Sequence, residues 1–188
     1  MAHPHLAHAP SSILVVIDWQ EPFLKAMPER KAVARQITTL LHLAKVLTLP
    51  VIVTEQNPDK LGKTSEDLRV ILEELGYYHP IPKLAFSCCS EDAFVQRVYD
   101  TGRDNLLITG IEAHVCVQQT TLEALNLGYK AHVVRDAITG HSQADLELAI
   151  EKMRHAGAII SSTDMLAYEL LGEAGTPEFK AASAFLKW

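Results

Sequence analysis

Short apolar runs that recur between stretches of helical period constrain this chain more than any other feature. Residues 13–17, ILVVI, are apolar and mostly β-branched, with no polar interruption before Asp18. A strand covered on both faces reads this way, whereas a strand with one wet face alternates. Residues 51–54, 105–109, 130–134 and 158–161 give four further strands. Between them, residues 30–49 place Val33, Ile37, Leu40, Leu41, Ala44 and Leu47 on one helical face, and Pro50 stops the run. Residues 66–75, 92–99, 115–127 and 143–156 are the next helices, and Ser162 or Thr163 caps a last one that ends at Gly172. Strands alternating with helices predict an α/β protein. The expected form is three-layered and Rossmann-like, with a mostly parallel sheet of five to six strands flanked by helices.

At 188 residues the chain suits one domain with a full core, expected over residues 13–188. Residues 1–12 are rich in His, Ala and Pro and lack the basic start and apolar centre of a signal peptide. They are expected to form a flexible tail, whose His3, His5 and His8 have no fixed geometry for a metal. A formal charge of -6 with scattered Lys and Arg predicts no nucleic-acid or membrane partner. No apolar stretch approaches the ~20 residues of a membrane span. Three cysteines, Cys88, Cys89 and Cys116, form no disulfide framework, which points to the cytoplasm. Adjacent Cys88 and Cys89 read as small apolar packers.

Open parallel sheets bind ligands beyond the carboxyl ends of their strands. Asp18, Glu55 and Cys116 are the reactive groups this topology nominates. Cys116 falls just inside a predicted helix start, where unpaired N–H groups and the helix dipole stabilise a thiolate and lower its pKa. The competing reading is a buried structural cysteine. Asp18 is either a turn residue before Pro22 or a general base. Lys83 follows the rigid extended stretch Pro80-Ile81-Pro82 and is by itself an ordinary surface charge. His79, His114 and His141 have no ligand spacing between them. Leu61-Gly62-Lys63-Thr64 imitates the end of a phosphate-binding loop, but Asn57 stands where the first glycine belongs and Pro58-Asp59 follow. Nucleotide binding is rejected there, and no G-x-G-x-x-G follows any strand.

Three motifs in order resemble those of isochorismatase-like hydrolases. Residues 13–23, ILVVIDWQEPF, resemble the opening strand and D-x-Q. Residues 83–87, KLAFS, resemble K-x-x-F-S, and residues 110–117, GIEAHVCV, resemble the nucleophile loop. The resemblance implies that Cys116 attacks a carbonyl carbon to form a thioester. It implies Asp18 as the base and Lys83 as the electrostatic partner of both. It further implies a cis peptide between Ile111 and Glu112, turning the Glu112 N–H toward the oxyanion site shared with the Cys116 N–H. Nicotinamidases of this superfamily hold a metal with an Asp and histidines after the second strand. Residues 54–59, TEQNPD, contain no histidine, so no metal and no other cofactor is expected. The TEQ run with GIEAHVCVQQT looks closer to the isochorismatase domain-containing proteins.

The leading expectation is a hydrolase for a small amide or related C–N bond. Trp19, Gln20, Gln56, Phe86 and His114 are candidate lining residues of its pocket. The alternatives are a metal-free vinyl-ether or ester hydrolase using Asp18 as acid, and a non-catalytic interaction domain. The family resemblance implies a homo-oligomer, with Phe179, Phe185, Leu186 and Trp188 as a candidate contact or as packing onto their own domain.

Overall fold

The computed structural model describes residues 3–27 and 29–186. Six strands form one parallel sheet: β1 Ser12–Ile17, β2 Val51–Gln56, β3 Ile81–Lys83, β4 Asn105–Gly110, β5 Lys130–Ile138 and β6 Ile159–Ser161. Their spatial order is β3-β2-β1-β4-β5-β6. The helices are α1 Glu21–Leu24, α2 Arg30–Val46, α3 Pro58–Leu61, α4 Glu66–Leu75, α5 Asp92–Asp100, α6 Gln118–Asn126, α7 Gln143–His155, α8 Thr163–Leu171 and α9 Pro177–Ala182. Five of the six strands were read from the sequence. β3 was seen only as an extended stretch, because it has three residues and carries Pro82. A proline without an N–H is tolerated at the sheet edge, where β3 lies.

β1 is buried at every position, and its side chains alternate between two cores. Leu14 and Val16 pack with Ile37, Leu41, Leu68 and Leu166, from α2, α4 and α8. Ile13, Val15 and Ile17 pack with Phe94, Ala124, Leu146 and Met153, from α5, α6 and α7. Leaving β1 toward β2 and returning toward β4 with right-handed crossovers places the connecting helices on opposite faces. The strand order therefore reverses between β1 and β4, and a crevice opens at their carboxyl ends. Asp18 leaves β1 there, and Ile111 leaves β4 beside it.

The close approach of these two strands depends on Gly110. Its φ is +106°, and a Cβ on it would lie 2.1 Å from the Ile17 carbonyl oxygen. Glycine alone satisfies both demands.

The segment expected to be a loose tail is anchored from Ala7 onward. Ala7 is buried and its N–H donates to Glu169 Oε2 at 2.8 Å. Arg103 Nη1 donates to the carbonyls of Ala9 and Ser12. Arginine thus ties the segment before β1 to the loop before β4. At the other end Leu186 is buried and Phe185 packs on the α2 core, with its ring 5.6 Å from that of His42. These two side chains pack on their own domain, and Trp188 lies outside the described residues.

His132 sits in β5 with 0% exposure, and neither ring nitrogen has a hydrogen-bond partner among the described residues. Burial, with smaller effects from the charges of His5, Lys130 and His8, pushes its pKa down to about 4 from 6.5. The native state keeps the ring neutral while the unfolded chain protonates near pH 6.5, so stability falls as pH drops from 6.5 toward 4. At pH 5 this costs about 2 kcal/mol relative to pH 7. Urea unfolding at the two pH values will show that loss, and His132→Leu will remove about that share of it.

Candidate active site

Asp18 follows β1 with φ +49°, a left-handed conformation uncommon for a residue with a Cβ. Its N–H donates to the Thr54 carbonyl at 3.2 Å, and its own carbonyl accepts from the Gln20 N–H at 2.7 Å. These bonds aim the carboxylate inward, where it is 1% exposed. Thr54 Oγ1 donates to Oδ1 at 2.8 Å, and Lys83 Nζ lies 2.7 Å from Oδ2.

Lys83 ends β3, and its side chain reaches across β2 to Asp18. Its ammonium is also near Gln56 Oε1 at 2.7 Å, Phe86 O at 3.0 Å, Ala85 O at 3.1 Å and Cys116 Sγ at 3.6 Å. Three protons are shared among these acceptors, so no donor is wasted. Burial works against the ammonium, but the Asp18 carboxylate opposes it, and the Lys83 pKa is raised. The lysine that reads as a surface charge in isolation is 2% exposed.

Cys116 occupies a π-helical turn, Ala113–Val117, that runs into α6. It was expected just inside an ordinary helix start. The wider turn arises because the Val115 and Val117 N–H groups both bond the Glu112 carbonyl. The preceding Ile111–Glu112 peptide is cis. The Ile111 N–H donates to Ile17 O and the Ala113 N–H to Thr139 O, so the loop is fixed to β1 and to the end of β5.

The expected low thiol pKa is overturned. Burial, followed by the adjacent Asp18 carboxylate, pushes the Cys116 thiol up to about 12, with Lys83 opposing. The same burial raises the Asp18 carboxyl above the usual carboxylate range, although Lys83, Thr54 and Cys116 all favour its ionised form. The resting arrangement is therefore a neutral thiol between a carboxylate and an ammonium.

The nominated lining residues divide. Gln56 faces the centre through Lys83, and its Nε2 donates to Leu84 O. Phe86 contributes its carbonyl to Lys83 while its side chain is exposed. Trp19 is fully buried in the α2 core, with Nε1 bonded to Asp67, so it is a packing residue. Gln20 is a clamp: Nε2 donates to the carbonyls of Gln56 and Gly62, and Oε1 accepts from the Gln56 N–H. Glu55, nominated by topology, accepts from Thr64 and from the Tyr78 hydroxyl instead. That bond explains the false phosphate-loop signal, since Thr64 is buried against a carboxylate.

Sequence reasoning missed Thr54 and the neighbourhood of His114. Thr54 was legible as the one polar residue of the run VIVT. His114 and His141, unrelated by spacing, are brought together when the loop after β5 folds back, with ring centroids 5.0 Å apart. Glu112 joins them. Cys88 is fully buried with Sγ 3.7 Å from Thr54 Oγ1, and its thiol is pushed up to about 11, chiefly by burial.

The parallel six-stranded sheet flanked by helices is the fold of isochorismatase-like hydrolases. The chain belongs to the isochorismatase family, whose Isochorismatase domain matches residues 12–165. It is 36% identical over 180 residues to the secreted isochorismatase effector Isc1 of Phytophthora sojae, covering 94% of this chain and 85% of that one. It is 35% identical over 179 residues to human isochorismatase domain-containing protein 2, covering 94% and 83%. A solved structure described as MAR1 ribonuclease from Caenorhabditis elegans superposes with a TM-score of 0.87 at 33% identity, covering 96% and 92%.

Removing the Asp18 charge leaves Lys83 as the nearest ion to Sγ and lowers the Cys116 pKa. Iodoacetamide labelling of Cys116, read by mass spectrometry, will keep rising with pH beyond the ~8.5 of free cysteine. In Asp18→Asn the same curve will move to lower pH. A plateau below pH 8 in the unmodified protein would contradict this account of the site.

Proposed function

We propose that the protein hydrolyses a small amide, or a related C–N bond, through a thioester on Cys116. The supporting observation is the placement of one buried ammonium 2.7 Å from Asp18 Oδ2 and 3.6 Å from Cys116 Sγ. A thiol held near pKa 12 is not a free thiolate, so its proton leaves as the S–C bond forms. Asp18 takes that proton, and its raised pKa suits a base that must also return it. The carbonyl oxygen becomes an oxyanion against the N–H groups of Glu112 and Cys116. Asp18 then protonates the departing nitrogen, and the C–N bond breaks to give an amine and the thioester. Water attacks the thioester with Asp18 again as base. The acid is released and Sγ regains its proton.

Lys83 keeps Asp18 ionised between these steps and offsets the negative charge moving between sulfur and oxygen. The nearly closed centre, with Cys116 6% exposed, favours a small substrate. Gln56 and His114 remain the lining residues in this reading.

The C. elegans relative is described as a ribonuclease. An RNA substrate for this chain is disfavoured by its charge of -6. Among the described residues no helix is long and apolar enough to cross a membrane. Three free thiols support a reducing compartment, and we place the protein in the cytoplasm. We also expect a homo-oligomer, supported by the exposed Met165 and Tyr168 on α8. No cofactor takes part in the mechanism.

A panel of short aliphatic and aromatic amides, followed by ammonia release, tests the reaction. Cys116→Ala and Asp18→Asn will each lower kcat by roughly 10³-fold or more. Hydroxylamine will intercept the acyl-enzyme as a hydroxamate in the unmodified protein only. Turnover that survives Cys116→Ala would move the chemistry to Asp18 acting as an acid.

A further inference from the structure

We propose that Glu112, His114 and His141 form a binding site for a divalent transition-metal cation of the zinc class, beside the thiol centre. The site uses none of the side chains of Asp18, Lys83 and Cys116, although it shares residue Glu112, whose backbone N–H faces the oxyanion, and the pocket-lining His114 with the mechanism above. It lies after β4 and β5, away from the residues after β2. One carboxylate oxygen and one nitrogen of each imidazole lie within 4.8 Å of one another. Glu112 Oε2 is 2.6 Å from His141 Nδ1 and 3.9 Å from His114 Nδ1. Ligands of a tetrahedral cation with bonds of about 2.0–2.1 Å sit roughly 3.3–3.4 Å apart. To close on an ion the Glu112–His141 hydrogen bond must lengthen from 2.6 Å and the wider separations, of up to 4.8 Å, must shorten.

Two further observations point to a ligand here. His114 Nδ1 is buried and has no hydrogen-bond partner among the described residues. An imidazole nitrogen withdrawn from solvent without a partner is costly unless something occupies it. Gly140 is the second. A Cβ there would lie 3.2 Å from His114 Nδ1, tighter than an ordinary contact, and would only touch Glu112 Oε2 at 3.8 Å. Its φ lies outside the positive range, so the backbone does not call for glycine. What glycine supplies is open space beside the ligand atoms.

Two imidazoles and a carboxylate are a set that zinc accepts, with a fourth position left for water. The His141 side chain is exposed, which gives an ion a way in. The loops concerned are already joined by the Ala113 N–H to Thr139 O bond at 2.9 Å. A cation would fasten them again through side chains, and so brace the loop that carries Cys116.

Cobalt(II) is the probe, added to the full-length chain with His3, His5 and His8 changed to Ala so that the N-terminal histidines cannot compete. One ion per chain is expected, with the visible d–d bands of four- or five-coordinate cobalt and no thiolate charge-transfer band. Zinc should displace it. His141→Ala, checked for folding by circular dichroism, should weaken binding by about tenfold or more. Cys116→Ala should leave binding unchanged while abolishing any amide turnover, which separates this proposal from the mechanism above. Absence of binding at millimolar cobalt, a thiolate band, or equal affinity in His141→Ala would each overturn it.

Discussion

The ion pair between Asp18 and Lys83 is the interaction on which the rest of the site depends. Two opposite charges at 1% and 2% exposure are costly to withdraw from water, and their mutual attraction repays this only with good geometry and further hydrogen bonds. Both conditions are met. Thr54 occupies the second carboxylate oxygen, and Gln56, Ala85 and Phe86 surround the ammonium. The acceptors come from β2 and from the turn after β3, so the charge network also decides how residues 83–87 fold. That turn is then fastened from outside, where Ser87 Oγ donates to Glu123 Oε2 and the Cys88 N–H donates to Thr120 Oγ1, both on α6. The helix that follows the cysteine thus holds the segment that follows the lysine.

An ion pair already in place changes what the cysteine has to be. A thiolate added beside Asp18 would put two negative charges against one ammonium in a site nearly closed to water. Burial and the carboxylate consequently keep the thiol neutral, and Lys83 cannot reverse this while it is committed to Asp18. The site works as a proton-sharing unit, in which charge moves from carboxylate to sulfur to substrate oxygen without a net ion being created. The helix N-terminus argument failed for the same reason. It weighed a dipole against solvent and omitted the nearest full charge.

Much of the scaffold was legible because it rests on local pattern. Residues 13–17 have no polar interruption, and α4 runs over the expected residues 66–75 with Gly76 closing it in a left-handed conformation. The grouping of Asp18, Lys83 and Cys116 was legible through motif order and was not derivable from any one residue. Lys83 in particular reads as solvent-exposed until β3 is placed at the sheet edge. What local pattern cannot carry is the meeting of distant loops. Trp19 and Gln20 stand beside Asp18 in sequence, which suggested pocket walls. The chain reverses after Asp18, so Trp19 points into the opposite core and Gln20 turns back to clamp β2.

His141 illustrates the same limit from the other side. Twenty-six residues and a whole helix–strand unit separate it from His114. Their meeting follows from β5 being longer than its apolar core suggested, running to Ile138 rather than to Val134. The extra residues cross a register shift opposite Ile108 and Gly110 and bring Ile138 beside Gly110. Thr139 then accepts from Ala113, and Gly140 passes where a side chain would touch the imidazole. The glycine that lets β4 approach β1 and the glycine that leaves room beside His114 therefore frame one loop. Between them lie the cis peptide, the π turn and the thiol, so the backbone geometry of residues 110–117 is set by close approaches on both flanks.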